Sequence, residues 1–219
     1  ASGAVNALAG GGSLILFPAL VATGMGTLAA NVSTAVATWP GYIGSIFGFR
    51  EELARQRTRV PRLAVATLVG SAIGCVLLLN TSSEAFDQIV PFLVLLAGGL
   101  LAVQPLVARR VGQPLDGSAK TRIVQTLAVA GAAIYGGYFG AALGVMFLGV
   151  LALTIAEPLR ELNGLKSAMS LVDATVSLVI FGLFGPVEWL AVAVAAPAAL
   201  VGGYAGARLA RRVDERALR

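Results

Sequence analysis

The residues best able to do chemistry in this chain form a polar stripe that begins at Asn163. Its two ionisable members are Lys166 and Asp173, which lie within a mostly apolar run. The complete stripe, spaced alternately by three and four residues, is Asn163, Lys166, Ser170, Asp173 and Ser177. At 3.6 residues per turn, residues spaced in this way share one face of a helix. Ammonium, amide and hydroxyl donors on one face indicate a surface that binds an anion.

A second stripe has the same spacing and lies 132 residues earlier in the chain. Its members are Asn31, Thr34, Thr38, Gly41 and Ser45. A structural alternative stays open, because Ser, Thr and Asn often join membrane helices at about 0.6 kcal/mol each. The ammonium of Lys166 could instead snorkel to the membrane surface. The carboxylate of Asp173 could serve as its structural partner, or could accept from the backbone.

The composition decides what kind of element carries these stripes. The 219 residues are 57% hydrophobic and 12% charged, with a mean hydropathy of +0.84. Soluble domains carry about 25% charged residues. The composition therefore excludes a soluble enzyme, a disordered chain and a nucleic-acid-binding domain, and it predicts a polytopic membrane protein.

Residue types that the chain lacks exclude several kinds of chemistry. There is no His and only one Cys, Cys75. Zinc sites built on His, a Ser-His-Asp triad and an internal disulfide are therefore excluded. The GxSxG and HExxH motifs of hydrolases and metalloproteases are also absent. We expect no enzyme activity, no cofactor and no metal.

Membrane helices need roughly 20 apolar residues. Five stretches qualify plainly: Asn31–Phe49, Leu63–Leu79, Ile89–Val107, Asn163–Phe184 and Trp189–Ala207. Two further stretches, near 1–24 and 123–155, are interrupted by glycines. The second is too long for one straight span, so we interpret it as a helical hairpin, either two short spans or a re-entrant pair. The first resembles the same unit with its leading helix cut short.

Charge placement predicts the orientation of the spans. Segments 50–62 and 108–122 and the tail from Arg208 are basic, so the positive-inside rule assigns them to the cytoplasm. Segment 80–88 carries acids and no base, which assigns it to the outside. The two striped helices then cross the membrane in opposite directions.

The offset of 132 residues also relates other features of the two halves. Gly12 corresponds to Gly144, and the pair Gly70 and Gly74 corresponds to Gly202 and Gly206. We therefore predict an all-α integral membrane protein of two inverted-topology repeats, each a glycine-broken hairpin followed by transmembrane helices. The repeats cover 1–107 and 123–219, joined by a cytoplasmic linker at 108–122. The second repeat is expected to lack its last helix within the given residues.

Inverted repeats with broken helices are typical of secondary transporters, whose sites lie near the membrane midplane. Free backbone N–H groups at the starts of the broken helices would attract an anion. The predicted substrate-binding residues are Gly11, Gly12, Ser13, Asn31, Thr34, Thr38, Gly144, Asn163, Lys166 and Ser170. Asp173 is the candidate residue for coupling to a proton or Na⁺.

Motifs in both halves resemble one known family. The first half has Gly10-Gly11-Gly12-Ser13, Pro18, Ala30-Asn31 and Ser33-Thr34, and the second has Gly136–Gly140, Gly144, Asn163–Lys166 and Gly202–Leu209. This set is similar to the sulfite exporter TauE/SafE family, also called toluene sulfonate uptake permeases. The second glycine motif, Gly140–Gly144, is poorer in glycine than the first.

The resemblance implies a multi-pass transporter in the inner cell membrane. It also implies small sulfur-containing anions as substrates: sulfite, thiosulfate, sulfoacetate or other organosulfonates. Alternating access is the expected mechanism. A passive anion channel, or a transporter of another small carboxylate or oxyanion, stays open as an alternative. The expected partners are the lipid bilayer and a coupling ion, with no nucleic acid, and the GxxxG faces permit a homodimer.

Overall fold

The computed structural model describes residues 11–108 and 119–212, and the regular structure in these ranges is helical. The helices are α1 Ser13–Ala22, α2 Thr27–Gly48, α3 Arg50–Arg55, α4 Val60–Leu79, α5 Ser83–Ala108, α6 Ala119–Tyr138, α7 Leu143–Thr154, α8 Leu159–Phe184 and α9 Trp189–Arg212. Residues 1–10, part of the predicted first hairpin, lie outside the described residues. So do most of the linker at 108–122 and the residues after 212.

Four described helices are long and apolar enough to cross a membrane: Val60–Leu79, Ser83–Val103, Leu159–Phe184 and Trp189–Leu209. They correspond to four of the five predicted spans. The fifth predicted span lies in α2, whose 22 residues are also long enough to cross. Its buried Asn, Ser and Thr residues lower its hydropathy, and it is therefore not among the four.

The glycine-interrupted stretch at 123–155 forms a helical hairpin. Helix α6 ends at Tyr138, and the 12-residue helix α7 begins at Leu143. At 1.5 Å per residue, α7 is about 18 Å long, which is shorter than a bilayer core. Helix α1 is a short apolar helix of the same kind. Neither short helix crosses a membrane by itself.

Both striped helices begin one turn earlier than the sequence indicated. Helix α2 starts at Thr27 and α8 at Leu159, so Asn31 and Asn163 lie within the helices instead of leading them. A glycine precedes α2 and Pro158 precedes α8 as the N-cap residue. The sequence interpretation placed both starts at the asparagines because the polar stripes begin there.

Contacts between α8 and its neighbours define the directions of the central helices. Hydrogen bonds join Thr67 to Met169, Ser71 to Asp173 and Cys75 to Ser177, each across 102 residues. Since both numbers rise together, α4 and α8 run parallel. Helix α2 runs antiparallel to α8, because Trp39 bonds to Thr175 whereas the earlier Ser33 bonds to Glu188. These are the relative directions that the charge pattern predicts.

Glycines let the helix backbones approach closely at two other interfaces, α4 on α6 and α9 on α2. A β-carbon at Gly74 would collide with the carbonyl oxygen of Ile134 in α6, and one at Gly203 would collide with the carbonyl oxygen of Gly41 in α2. The first contact involves the predicted Gly70 and Gly74 pair. In α9 the close contact is made by Gly203, next to the predicted Gly202. These glycine faces are thus used within one chain.

We expect Gly74→Ala to destabilise the fold by about 1–3 kcal/mol or more, the usual range for overpacking. The added methyl would meet backbone atoms of Ile134 and Tyr138, which cannot rotate away. Gly131→Ala is the matched control, because nothing lies within 4 Å of a β-carbon there. The measurement is the thermal unfolding midpoint of the purified protein in detergent. Equal midpoints for the two variants would contradict the close packing of α4 on α6.

The outer surface of the helices is apolar. Phe92 on α5 is 72% exposed and Leu190 on α9 is 80% exposed. Polar residues of α2 and α8 are buried instead, among them Thr34, Lys166 and Asp173. An apolar outside with a polar inside is the reverse of a soluble protein, and it fits a helix bundle that is surrounded by lipid.

Candidate functional site

The turn between α6 and α7 is the centre of the candidate site. Three carbonyl groups in or next to this turn accept hydrogen bonds from buried or partly buried side chains. Asn31 donates to the carbonyl oxygen of Tyr138 at 3.0 Å, and Ser13 donates to that of Gly140 at 3.4 Å. The Tyr135 hydroxyl donates to the carbonyl oxygen of Ala141 at 2.8 Å. A broken helix inside a membrane needs such partners for its free carbonyl groups.

The backbone of this turn is strained. Gly140 has a φ of 74°, which glycine adopts readily, but Ala142 has a φ of 58°. A left-handed conformation costs an alanine about 1–2 kcal/mol. Ala142 is fully buried, and it packs in the same apolar cluster as Phe17, Phe139 and Val145. The packing therefore holds the turn in a conformation that the isolated chain would avoid.

Asp173 reaches the same region from α8. Its Oδ1 atom lies against Gly136 near the end of α6, where a β-carbon would be only 2.6 Å from that oxygen. Asn31 bonds to Tyr138 just two residues further along α6. The structure therefore brings Ser13, Asn31 and Asp173 together around the α6–α7 turn. These three were predicted as site residues.

Four buried polar atoms on the two stripes have no hydrogen-bond partner among the described residues. They are Thr34 Oγ1, Asn163 Oδ1, Ser170 Oγ and Asp173 Oδ1. The large majority of buried side-chain polar atoms in native proteins are hydrogen-bonded to protein or to ordered water. Each partnerless group costs about 1–3 kcal/mol. Their concentration on the two stripes points to water, an ion or a substrate as the missing partner.

The other predicted residues are buried too, on the striped faces or at the starts of the two short helices. Lys166 is 3% exposed and lies one turn after Asn163. Thr38 bonds to the carbonyl oxygen of Ala35 in its own helix, and Asn163 donates to that of Leu159. Gly11, Gly12 and Gly144 are buried at the starts of the two short helices. The buried lysine is an intramembrane charge of the kind that usually has a function.

Asn31 and Asn163 are separated, although the sequence pattern suggested that both face one ligand. Each lies one turn from the start of its helix, and the two helices run antiparallel, so the two amides lie toward opposite ends of the bundle. Asn31 contacts the α6–α7 turn. Asn163 is followed by Gly164, where a β-carbon would lie 3.3 Å from Glu52 of α3. The helix direction therefore decides which amide is near the turn.

The starts of the short helices offer fewer free N–H groups than expected. Leu14 and Ile15 bond back to the carbonyl oxygens of Gly11 and Gly12. At the start of α7, the N–H groups of Leu143 and Val145 bond to Gly140 and Ala142. Several N–H groups in the first turn of each short helix are therefore already hydrogen-bonded to nearby carbonyl oxygens. Side chains consequently provide a larger share of the available donors than the sequence indicated.

An ion-pair cluster ties the two halves of the chain at the basic end of the helices. Arg160 pairs with the buried Glu52 at 2.7 Å, Arg59 pairs with Glu157 at 3.0 Å, and Arg55 pairs with Glu161 at 3.3 Å. Since a hydrogen bond from Arg59 stabilises its charged form, the pKa of Glu157 is lowered. Acids next to arginines, at 50–62 and again at 157–161, were a signal for this cluster that the sequence interpretation missed.

Comparison with known proteins identifies the family of the protein that contains this site. The family model for the sulfite exporter TauE/SafE matches residues 1–219. The chain belongs to the TauE/SafE family. It is 26% identical to "Probable membrane transporter protein YfcA" of Escherichia coli K12 over 215 residues, which are 97% of this chain and 76% of that protein. It is 24% identical over 211 residues to a "Probable membrane transporter protein" of Haemophilus influenzae, covering 94% of this chain and 79% of that protein. No solved structure matches significantly.

Membership of the TauE/SafE family confirms the resemblance found in the sequence motifs. With the apolar helices, it makes the chain a multi-pass membrane transporter. The buried polar stripes of α2 and α8 are therefore interior faces of a TauE/SafE transporter.

Proposed function

We propose that this protein is a secondary transporter that binds a small sulfur-containing anion near the membrane midplane, between the repeats at 1–107 and 123–219. The inner cell membrane is its proposed location, and sulfite, thiosulfate, sulfoacetate and other organosulfonates are the proposed substrates. The observation that carries the proposal is the partnerless buried hydroxyl of Ser170, on the same buried face of α8 as Lys166.

The charge of the proposed ligand follows from these groups. Lys166 brings a positive charge into the bilayer, where ionisable side chains are costly and usually functional. Hydroxyl groups of Thr34 and Ser170 can donate hydrogen bonds to an oxyanion. An anion beside Lys166 would offset the lysine charge and satisfy the Ser170 hydroxyl, one turn further along α8, at the same time. Thr34 lies toward the opposite end of the bundle and would meet an anion elsewhere on its path. The sulfur chemistry of the substrate is taken from the family's description.

Asp173 supports coupling of the anion to a cation. It lies on the same helix face as Lys166, about 10 Å away at 1.5 Å per residue. A carboxylate repels an anion that binds nearby, and the repulsion is strong where water is scarce. A proton or Na⁺ on Asp173 would remove this repulsion. We therefore propose that the cation and the anion bind together.

Several contacts support alternating access between inverted repeats. The start of α1 contacts the α6–α7 turn through Ser13 and Gly140, so the two broken elements meet inside the bundle. Under the offset of 132 residues, α2 corresponds to α8 and α4 corresponds to α9. Helix α2 packs on α9, and α8 packs on α4, so each striped helix contacts the glycine-containing helix of the other repeat, as an inverted repeat requires. The ion pairs close the basic end in this conformation. Breaking them would let one half move against the other.

Thermal unfolding of the purified protein with a panel of anions tests the proposed function. The panel is sulfite, thiosulfate, sulfoacetate, sulfate, chloride and acetate. A ligand that binds only the folded state stabilises it by about 2.7 kcal/mol at 100 times its Kd. We expect a selective rise in the unfolding midpoint with a sulfur anion. Equal shifts with acetate or chloride would contradict the substrate class, and concentrative uptake into proteoliposomes would separate a transporter from a passive channel.

A further inference from the structure

A polar cavity lies away from the stripes, at the basic end of the helices. Its volume is about 380 Å³, and it is formed between the starts of α4 and α6 and the end of α7. Three arginines line it, Arg59, Arg62 and Arg122, together with Gln125 and threonine hydroxyls. Ile155 is the single apolar residue among its described lining.

The arginines of this cavity are only partly neutralised. Arg59 pairs with Glu157, which lies outside the lining. Neither Arg62 nor Arg122 has a carboxylate partner among the described residues. Arg62 instead donates to the amide oxygen of Gln125. Three like charges around one cavity repel each other, and an anion in the cavity would relieve this repulsion.

Neutral side chains hold the Arg62 guanidinium in place at the cavity. The amide nitrogen of Gln125 donates to the Thr154 hydroxyl at 2.8 Å, and the hydroxyl in turn donates to the carbonyl oxygen of Val150 at 2.6 Å. This chain of hydrogen bonds holds the amide oxygen of Gln125 toward Arg62 and so fixes the guanidinium without cancelling its charge. A guanidinium presents planar, paired donors that match the geometry of an oxyanion.

We propose that this cavity is a second oxyanion site, and that an anion bound there competes with Glu157 for Arg59. The proposal rests on the proposed function for the identity of the anion, a sulfur oxyanion on its way to or from the midplane. A free anion is favoured over a lipid headgroup, because the lining offers almost no apolar wall for acyl chains. By contrast, the groove near Arg50 and Arg208 is walled by Phe47, Leu200 and Val201.

Competition for Arg59 would couple anion binding in the cavity to the Arg59–Glu157 ion pair, which joins the two halves of the chain. The Arg59–Glu157 pair joins the segment before α4 to the segment before α8. An anion that draws the guanidinium into the cavity weakens this tie. Anion arrival would then replace this ion pair by a contact through the bound anion, between Arg62 of α4 and Arg122 of α6. The connection between the two halves at the basic end would thus depend on the anion.

Calorimetric titration of the purified full chain with thiosulfate tests the second site. We expect two anions per chain in the original protein. The affinity for the anion in the arginine cavity should fall by about 10-fold or more in Arg122→Gln, as expected for loss of a charge-assisted contact. The same holds for the double variant Arg62→Gln with Arg122→Gln. Lys166→Ala should remove the other anion. Arg122 is exposed, so its replacement is compatible with folding, which size-exclusion elution checks.

Matched variants separate this site from general surface charge. Arg208→Gln removes one positive charge at the same end of the bundle and should leave both affinities unchanged. Glu157→Gln should tighten the arginine site by up to about 5-fold, because it releases Arg59 from a partly exposed ion pair. Unchanged affinity in Glu157→Gln would overturn the competition, and equal loss in Arg208→Gln would overturn the specific site.

The outcomes also separate this proposal from the midplane site. A single anion that Lys166→Ala removes and Arg122→Gln does not affect would overturn the cavity site alone. A single anion with the opposite response would support the cavity and contradict the midplane site. Titrations in nanodiscs of phosphatidylcholine, with and without phosphatidylglycerol, identify a lipid occupant. Retention of phosphatidylglycerol that requires Arg62 and Arg122, without thiosulfate binding, would overturn a free anion as the ligand.

Discussion

In the Lys166→Ala variant, the part of the thermal stabilisation by the sulfur anion that comes from the midplane site is expected to disappear, which leaves only the part that requires Arg62 and Arg122. Lys166 is 3% exposed, and it contributes a positive charge inside the bundle. Removal of one member of a buried charge pair costs about 3–5 kcal/mol. The affinity of the midplane site should therefore fall by about 10²-fold or more. The measurement is the shift of the unfolding midpoint across the anion panel.

Lys120→Ala is the matched control for this prediction. It removes the same side chain from the exposed start of α6, so the anion-dependent shift should not change. Lys166→Gln provides a second test in which a polar side chain of similar length is kept. Since its amide has no positive charge, it should also lose that part of the shift. A folded Lys166→Ala protein with unchanged affinity would remove Lys166 from the site.

Replacement of Asp173 with asparagine is expected to uncouple transport from its driving ion. The amide keeps the size of the carboxyl group, but it carries no charge that a proton or Na⁺ could neutralise. Uptake into proteoliposomes should then lose its dependence on pH and Na⁺, while anion affinity stays within about tenfold, or about 1.4 kcal/mol. Transport should therefore change more than binding.

Asp87→Asn serves as the control, because it makes the same chemical change near the start of α5. Asp87 is exposed and accepts a hydrogen bond from Thr27, whereas Asp173 is buried on the striped face of α8. Its replacement should leave the ion dependence of uptake intact. An Asp173→Asn protein with the ion dependence of the original would give Asp173 a structural role. In that case its contacts with Gly136 and α4 would explain its burial.

The membrane character of the chain and its polar faces follow from the amino-acid sequence alone. Both depend on local properties: the length of an apolar run, and residue spacing on a helix. The same is true of the glycine-broken hairpin, since glycines at 136, 137 and 140 weaken a helix wherever they lie. The spacing of the stripe residues predicted that they share one face of α2 and one face of α8. In the structure all of these residues are buried.

Three features of the site depended on long-range packing. Asn31 bonds to Tyr138 across 107 residues and Ser13 to Gly140 across 127, so neither contact has a local signature. The separation of Asn31 from Asn163 follows from the antiparallel crossing of two helices. The arginine cavity forms only where α4, α6 and α7 meet.

Residue spacing thus specified which side chains share a face, because the helix period is a property of the backbone alone. It could not specify which faces meet, since that depends on how far each helix is rotated and shifted against its neighbours. Those rotations are set by the closest backbone contacts, such as Gly74 on Ile134 and Gly203 on Gly41. The tertiary structure therefore decided which predicted donors gather at the α6–α7 turn and which lie at the opposite end of the bundle.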